Sequence, residues 1–406
     1  MDYIEHHEQV KEAFTAKGPA EYKGLEIQGF NFSSRAADVL PGAESYYCPK
    51  HKERFERNGT FYNDVGTLGE DIHIRDNAVK ENRNFTYQVM KRKDGLPAKQ
   101  LTFLFHGFNE KNWEKYYSWG ERICRSTGSA VIFFPIAFHM QRAPALWSDP
   151  REMFRLSAYR KKRFPNVINS SLFNVAISMR LHSMPQRYIW SGLQTYYDII
   201  QLIESYKASE NALIHPEFSF NIFAYSIGGF LAEILKLANH KDYFRDTRVC
   251  LFCGGSVFNR LSPVSKFILD SEADLALYSY LIEHFDSFLA KEHRLNHYIK
   301  EDHNAGKVLH AMLNYVNMRE FREDLFRRSA DDFYAITLKQ DKVIPPFEVM
   351  NTLKGAYGDI DINVDMLDFD YTYSHENPFP LKRVDPVLVN ESFNQVFDRA
   401  CGFLSD

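Results

Sequence analysis

The chain has 406 residues, of which 45% are hydrophobic and 15% aromatic, and this length accommodates one elaborated domain or two. Its net charge of -4 excludes the strongly basic surface on which non-specific nucleic-acid binding depends. No apolar stretch approaches the ~20 residues of a membrane span. The first residues also lack the apolar core of a signal peptide, so we expect a cytoplasmic protein.

The first 95 residues are predicted to form an N-terminal extension of edge strands and loops. Short extended patterns occupy residues 24–32, 71–75 and 85–90, and Gly, Asn and Asp residues separate them. We expect these segments to precede the core rather than to form it.

From residue 96, apolar runs of strand length alternate with amphipathic helical stretches. This alternation predicts an α/β fold in which a mostly parallel sheet is covered by helices on both faces. A last extended run at 360–373 shifts the phase of its apolar positions, which indicates a bulge. The clearest buried strands are predicted at 101–105, 130–134, 218–224, 249–253 and 333–338.

Apolar residues at helical spacing predict four helices, and Asn390 is expected to cap the last one. These helices occupy 112–125, 192–206, 227–238 and 390–403. Two segments, 137–187 and 255–329, do not fit the alternation. The second is helical in pattern and rich in aromatic residues, which predicts an inserted lid. The chain is thus predicted to comprise an extension (1–95), a first core part (96–254), a helical lid (255–330) and a second core part (331–406).

A buried strand runs into the sequence AYSIGG at residues 224–229 and then directly into an apolar helix. A serine on such a turn projects its hydroxyl above the sheet, and the small residues Ala224 and Gly228 allow the strand and helix to approach. The first N–H groups of the helix, beginning with Ile227, face the reacting carbon. The motif resembles the G-x-S-x-G nucleophile elbow of the α/β-hydrolase superfamily, with alanine replacing the first glycine. The resemblance implies that Ser226 is the nucleophile.

The strand at 101–105 is followed by His106, Gly107, Phe108 and Asn109. In α/β-hydrolases a His-Gly pair closes the corresponding strand, and the loop after it donates the second oxyanion N–H. The resemblance assigns that N–H to Phe108 beside the N–H of Ile227. It implies that His106, Gly107 and Asn109 form the supporting loop, with His106 ordering the loop rather than transferring protons.

A serine nucleophile needs a base, and the base needs an acid that fixes its tautomer. Asp341 follows the predicted strand 333–338, and His375 follows Asp341 by 34 residues, after the last predicted strand. The α/β-hydrolase resemblance places the acid and the base at these points in the chain. Asp368 and Asp370 are alternative acids.

These residues predict a Ser-His-Asp acyl hydrolase that cleaves an ester or thioester of a small-molecule acyl substrate. An acyltransferase, a serine peptidase and a non-catalytic binding protein of the same fold are the alternatives. The serine argues against the haloalkane dehalogenases and epoxide hydrolases of this superfamily, which use an aspartate. No glycine-rich phosphate loop occurs, so nucleotide chemistry is not expected. The sequence leaves the oligomeric state open.

No cofactor and no metal site are predicted. Cys250 and Cys253 form a C-x-x-C, but residues three apart in a strand face opposite sides. His293 and His297 lie four apart on a predicted helix and are interpreted as a solvated face, because Arg294 replaces the glutamate of H-E-x-x-H. Reduced thiols are expected because the cysteine count is odd and the spacing is irregular, with cysteines at 48, 124, 250, 253 and 401.

Two basic segments are not assigned a catalytic function. The run at 160–163 is interpreted as a solvated loop. Arg180 and Arg187 are expected to pair with acidic residues of the core, although contact with a substrate carboxylate is the alternative.

Overall fold

The computed structural model describes residues 3–14, 19–56, 74–300 and 302–405. The strands are β1 (Ala20–Tyr22), β2 (Leu25–Ser33), β3 (Ser45–Cys48), β4 (Glu53–Glu56), β5 (Asn84–Arg92), β6 (Ala98–Phe105), β7 (Ala130–Phe133), β8 (Ile214–Tyr225), β9 (Val249–Phe252), β10 (Phe333–Leu338) and β11 (Asn363–Leu367). The helices are α1 (Tyr3–Phe14), α2 (Lys80–Arg83), α3 (Glu114–Thr127), α4 (Pro150–Arg163), α5 (Val175–Ser183), α6 (Arg187–Lys207), α7 (Ile227–Ala238), α8 (Ser271–Tyr278), α9 (Phe285–Leu289), α10 (His293–Lys300), α11 (Asn304–Leu313), α12 (Arg319–Arg328), α13 (Pro346–Leu353) and α14 (Pro386–Ser405).

Nine strands form one sheet in the order β1-β2-β5-β7-β6-β8-β9-β10-β11. In this order, all neighbouring strands from β7 to the edge strand β11, β6 included, are parallel. Strand β5 is antiparallel to both β2 and β7. The remaining strands, β3 and β4, form a separate hairpin. From β2 onward, this order with one antiparallel strand in second place is the α/β-hydrolase fold, as the sequence predicted.

The apolar runs form central strands because helices cover both faces of the sheet. Phe103 and Phe105 of β6 pack into the layer that contains α6 and α7. Leu104, between them, points to the opposite layer, where it joins Trp119 of α3 and Phe397 of α14. Successive side chains of a strand point to opposite faces of the sheet. Both faces of β6 carry apolar residues because helices bury both of them.

The predicted central strands and the helix at 227–238 are confirmed, but two predictions near the C-terminus are wrong. The strand β11 ends at Leu367 and pairs with β10 without a register shift, so the run at 360–373 is not one bulged strand. The shift instead lies between β6 and β8, at Ala98 and Gln100. Asn390 does not cap the last helix, because α14 begins at Pro386 and the Asp385 carboxylate accepts the N–H of residue 387 at 2.9 Å.

The N-terminal extension contains a helix that the sequence analysis did not predict. Helix α1 buries Tyr3, Val10 and Phe14 against α3 and α14. The extended patterns at 24–32 and 85–90 do form strands, β2 and β5. The expectation that they only precede the core is wrong, because β5 lies between β2 and β7 in the main sheet and its Val89 and Met90 are fully buried. The pattern at 71–75 begins outside the described residues. In the described ranges, no helix combines the length and the apolar composition needed to cross a membrane.

Two insertions pack against each other above the sheet. The β7–β8 insertion (residues 134–213) contains α4 to α6, and the β9–β10 insertion (residues 253–332) contains α8 to α12. A buried ion pair joins them, in which the Arg160 guanidinium bonds both carboxylate oxygens of Asp270, with Nη2 at 2.8 Å from Oδ1. The run at 160–163 is therefore the end of α4 rather than a loop, and its first residue is not solvated.

Arg180 and Arg187 have the structural role that was expected. Both bond the buried carboxylate of Asp76, and Arg187 Nε lies 3.0 Å from each of its oxygens. These ion pairs attach the β7–β8 insertion to the segment that precedes β5.

Candidate active site

Ser226 lies at the sharp turn between β8 and α7. Its backbone adopts φ 57° and ψ -123°, a conformation that residues with a side chain rarely adopt. The turn brings α7 close to β6. A Cβ on Gly228 would lie only 2.8 Å from both the Cβ and the carbonyl oxygen of Phe105. Ala224 is fully buried. The predicted strand-to-helix turn is confirmed, and the contacts around Gly228 explain why that position needs a residue without a side chain.

The structure brings Ser226, His375 and Asp341 together. The Oγ of Ser226 lies 2.7 Å from Nε2 of His375, and Nδ1 of His375 lies 2.7 Å from Oδ2 of Asp341. The three residues are 6%, 3% and 4% exposed, respectively, so solvent competes little for these bonds. A carboxylate at Nδ1 holds the proton on that nitrogen and leaves the Nε2 lone pair facing the serine hydroxyl.

Neighbouring groups hold the acid and the base in place. Oδ1 of Asp341 accepts the N–H groups of Val343 and Ile344, each at 2.9 Å, which leaves Oδ2 for the histidine. The rings of Tyr225 and His375 stack at 5.5 Å with an interplanar angle of 17°. The Tyr225 hydroxyl donates to the backbone carbonyl of His375. Tyr225 thus connects the serine turn to the histidine loop.

His106 is a buried structural histidine. Its Nε2 accepts the N–H of Ile136 at 2.9 Å, so its Nδ1 carries the proton and donates to the carbonyl of Gly107 at 2.7 Å. Burial lowers the pKa of His106 to about 3, which keeps the ring neutral. Both of its nitrogens are thus bonded to backbone groups, one in the loop after β6 and one after β7.

The loop after β6 also contacts both insertions. The N–H of Gly107 donates to the hydroxyl of Tyr116 at 2.9 Å. Asn109, with φ 60°, donates its amide to the carbonyl of Phe173 at 2.9 Å and to that of Phe267 at 2.6 Å. Because one carbonyl belongs to each insertion, Asn109 fixes both of them relative to the end of β6.

Ser226 lines an apolar cavity of about 560 Å³. Phe108 and Ile227, the predicted sources of the oxyanion N–H groups, line the same cavity. A second apolar cavity of about 650 Å³ shares Phe108, Tyr188, Ile227 and Phe230 with the first. Ile227 is the first residue of α7, and the N-terminus of a helix favours negative charge.

The alternative acids lie away from the histidine. Asp368 accepts the amide of Gln340 at 3.1 Å and the hydroxyl of Tyr373 at 2.9 Å. The bond from Gln340 and the nearby Lys339 lower the pKa of Asp368. Asp370 is exposed. Asp341 is therefore the carboxylate that meets His375.

A further contact, which no pattern in the sequence predicted, joins the loop that carries His375 to the β9–β10 insertion. The hydroxyl of Ser265 donates to Oε1 of Glu376, the residue after His375, at 2.6 Å. On the other side, the Lys115 ammonium group lies 3.4 Å from the Glu376 carbonyl oxygen. No sequence signal marks this contact, because 111 residues separate Ser265 from Glu376.

Cys253 and His297 do not lie where the sequence predicted. Cys253 lies one residue beyond β9 with φ 49°, so its side chain packs in the same layer as Cys250 rather than on the opposite face. His293 is exposed as expected, but His297 is only 3% exposed and does not lie on a solvated face. All five cysteines are free and buried.

The chain is similar in structure to several solved proteins. One is carboxyl esterase 2 from the mycorrhizal fungus Tuber melanosporum, with TM-score 0.43 and 12% identity over 79% of this chain and 81% of that chain. Another is a hyperthermophilic esterase from the archaeon Pyrobaculum calidifontis, with TM-score 0.44 and 10% identity over 100% and 91% of the two chains. A third is vibralactone cyclase, with TM-score 0.45 and 10% identity over 99% and 85%.

No curated protein matches the sequence significantly. A family model described as a family of unknown function (DUF6051) matches residues 1–405. The chain therefore belongs to the DUF6051 family.

Proposed function

We propose that the protein is a serine hydrolase that cleaves carboxylic esters or thioesters of small acyl substrates through an acyl-enzyme on Ser226. One observation carries the proposal. Ser226, His375 and Asp341 form a chain of two 2.7 Å hydrogen bonds at the wall of an apolar cavity. A serine hydroxyl bonded in this way to a buried, carboxylate-oriented imidazole is the arrangement that activates serine as a nucleophile.

In the proposed reaction, Nε2 of His375 accepts the proton of the Ser226 hydroxyl as Oγ attacks the acyl carbon. Asp341 stabilises the imidazolium that results and remains ionised. His375 then donates the proton to the leaving alcohol or thiol, and the acyl group stays on the serine. Water, deprotonated by the same histidine, releases the acid and restores the hydroxyl.

The negative charge that develops on the acyl oxygen needs donors that are already in place. The N–H groups of Ile227 and Phe108 are proposed to supply them, because both residues line the cavity with Ser226 and Ile227 begins helix α7. Each such donor contributes ~10²- to 10³-fold in rate.

The cavity also favours a class of substrate. Its walls include Phe230, Tyr188 and residues of the β9–β10 insertion, among them Phe258, Leu261, Ile268 and Leu277. A wall of this apolar composition binds hydrocarbon rather than charged groups. We infer that the acyl chain enters this cavity and continues toward the second one, and that the β9–β10 insertion acts as the lid.

The test is hydrolysis of p-nitrophenyl esters from acetate to decanoate. The wild-type chain should prefer medium-length acyl groups to acetate, and Ser226→Ala should lose activity by ~10⁶-fold, to the detection floor. Ser205→Ala is the matched control, because that hydroxyl bonds the backbone carbonyl of Leu202 in its own helix. Equal turnover by Ser226→Ala and the wild type would refute the assignment.

A second measurement separates hydrolysis from transfer. Product analysis in the presence of a competing alcohol or amine should show free acid as the main product if water is the acceptor. A dominant transfer product would identify an acyltransferase, and peptide cleavage without ester cleavage would identify a peptidase. Absence of all three reactions would favour a binding protein.

A further inference from the structure

Four metal-ligand side chains converge at a place that the proposed reaction does not use. Cys48 ends β3 and His51 lies in the turn between β3 and β4, whereas His297 lies on α10 and His303 precedes α11. Their four ligand atoms all lie within 4.8 Å of one another. Cys48, His297 and His303 are buried and His51 is half-buried. Two separate parts of the chain, 246 residues apart between His51 and His297, meet here.

Four of the six separations between the ligand atoms match the edges of a tetrahedron around a zinc ion, and all six are within 4.8 Å. Zn–N distances of ~2.0–2.1 Å and Zn–S distances of ~2.3 Å imply N···N edges of about 3.3 Å and N···S edges of about 3.6 Å. His297 Nε2 lies 3.2 Å from His51 Nδ1 and 3.3 Å from His303 Nε2. The Cys48 sulfur lies 3.6 Å from His51 Nδ1 and 3.5 Å from His303 Nε2.

The rings are oriented as ligands of a common centre rather than as a stack. The three imidazole centroids are 4.7, 4.8 and 5.0 Å apart, with interplanar angles of 84°, 88° and 72°. Nδ1 of His297 lies 3.2 Å from a carboxylate oxygen of Glu53. A carboxylate on the outer nitrogen of a histidine fixes the tautomer whose inner nitrogen offers a lone pair, as in metal-bound histidines.

We propose that Cys48, His51, His297 and His303 bind one Zn²⁺ ion. One thiolate and three imidazoles suit zinc, whereas Mg²⁺ and Ca²⁺ take oxygen ligands. The spacing C-x₂-H followed by H-x₅-H is close to that of known zinc sites. Four protein ligands complete a tetrahedron and leave no open position for a substrate, so the ion has a structural role.

The position of the site indicates what the ion stabilises. It links the β3–β4 hairpin to the α10–α11 part of the β9–β10 insertion. Helix α11 begins one residue after His303, and its Ala305 and Leu309 line the cavity of about 650 Å³. A metal cross-link between segments so far apart in the chain restricts the unfolded state and fixes this wall of the cavity.

The first experiment measures metal in the purified full-length chain by inductively coupled plasma mass spectrometry, without chelators. We expect one zinc ion per chain in the wild type. Cys48→Ser and His303→Ala should lose most of the zinc. His293→Ala should keep it, because that histidine is exposed on the same helix as His297.

A second readout does not depend on variants that fold poorly. The wild-type chain stripped of metal and loaded with Co²⁺ should show the strong visible absorption of tetrahedral cobalt and a thiolate-to-cobalt charge-transfer band. Modification of Ser226 by a fluorophosphonate should persist when the metal is removed, so failure of the zinc site and failure of the proposed hydrolase are distinguishable. A wild-type chain that contains no zinc and takes up neither Zn²⁺ nor Co²⁺ would overturn the proposal.

Discussion

The two carboxylate oxygens of Asp341 have different partners. Oδ1 accepts two backbone N–H groups at 2.9 Å, and Oδ2 meets Nδ1 of His375 at 2.7 Å. The first set positions the side chain, and the second sets the histidine tautomer. A substitution that keeps one set and changes the other can separate folding from catalysis at this residue.

Asp341→Asn is that substitution. The amide oxygen still accepts the N–H groups of Val343 and Ile344, while the amide NH₂ faces His375 Nδ1 and favours the tautomer with its proton on Nε2. We expect kcat for ester hydrolysis to fall by ~10⁴-fold. The melting temperature should stay within a few degrees of the wild-type value, since the backbone bonds remain.

The measurement is steady-state kinetics together with a thermal melt. Loss of activity that accompanies a large loss of stability would mean that Asp341 acts mainly in folding. Unchanged kcat in a folded variant would contradict its proposed role.

The geometry of the turn at Ser226 depends on the absence of a side chain at Gly228, near the start of α7. A Cβ on Gly228 would lie 2.8 Å from Phe105 atoms and 2.9 Å from the carbonyl oxygen of His106. Two of these neighbours are backbone atoms, which cannot rotate away. A side chain at this position would therefore push α7 away from the end of β6.

Gly228→Ala should lower the free energy of unfolding by ~1–3 kcal/mol and reduce activity, because the Ser226 turn is displaced. Gly402→Ala is the matched control. It is also a helical glycine, on α14, and a Cβ there meets no atom within 4 Å. We expect it to stabilise the chain by ~0.5–1 kcal/mol. Urea unfolding of both variants gives the comparison, and equal effects would refute the steric argument.

The buried Arg160–Asp270 ion pair is expected to stabilise the contact between the two insertions. Asp270→Asn keeps an oxygen that can cap α8, where Asp270 accepts the N–H of Ala273 at 3.0 Å, but it removes the charge opposite a buried guanidinium. We expect a loss of ~3–5 kcal/mol, because the remaining charge is buried without its counter-ion.

The control for that pair is Arg155→Gln on the same helix. Its exposed partner is Glu152, and exposed pairs contribute ~0–1 kcal/mol. Urea unfolding and limited proteolysis of the two insertions provide the readouts. If Asp270→Asn lowers the free energy of unfolding no more than Arg155→Gln does, the ion pair does not hold the two insertions together.

Elements with both faces buried could be predicted from the sequence, and elements held by distant partners could not. Helix α7 and strand β10 are apolar at most of their positions, and the structure confirms both. Helix α1 is short and amphipathic, and its apolar side is explained only by α3 and α14, which lie more than 100 residues away. Asp385 caps α14 in place of Asn390 because Pro386 suits the first turn of a helix, whereas the apolar spacing alone indicated a later start.

Two buried neutral histidines, His106 and His139, make the fold sensitive to acid. Burial lowers the pKa of both His106 and His139 to about 3, below the value of 6.5 expected in the unfolded chain. Between these values the unfolded chain binds protons that the folded chain does not. Their contribution to stability is therefore fully present above pH 6.5 and is lost as the pH falls toward 3.

We expect the free energy of unfolding to fall by about 1.4 kcal/mol per pH unit for each of the two histidines below pH 6.5. His139→Gln, which cannot titrate, should remove the part of this loss that His139 contributes. Urea unfolding at about pH 7.5 and about pH 5.5 measures it. A pH-independent midpoint in the wild type, or identical slopes in the wild type and the variant, would contradict this assignment.

The residues of the candidate active site could be predicted from the sequence, because each follows a strand of the parallel sheet. Ser226, Asp341 and the loop at His106 lie directly after β8, β10 and β6, and the carboxyl ends of parallel strands meet at one edge. The proposed zinc ligands do not follow strands of this sheet, because they join the β3–β4 hairpin to the β9–β10 insertion. They are Cys48, His51, His297 and His303. His297 therefore resembled a surface residue, and only the three-dimensional packing shows that it is buried.

The most direct test of the proposed hydrolase is the site of labelling by a fluorophosphonate, which reacts covalently with an activated serine. Peptide mass spectrometry of the labelled chain should locate the adduct on Ser226, and labelling should be absent in Ser226→Ala and greatly slowed in Asp341→Asn. An unlabelled wild-type chain, or an adduct on another residue that persists in Ser226→Ala, would contradict the account.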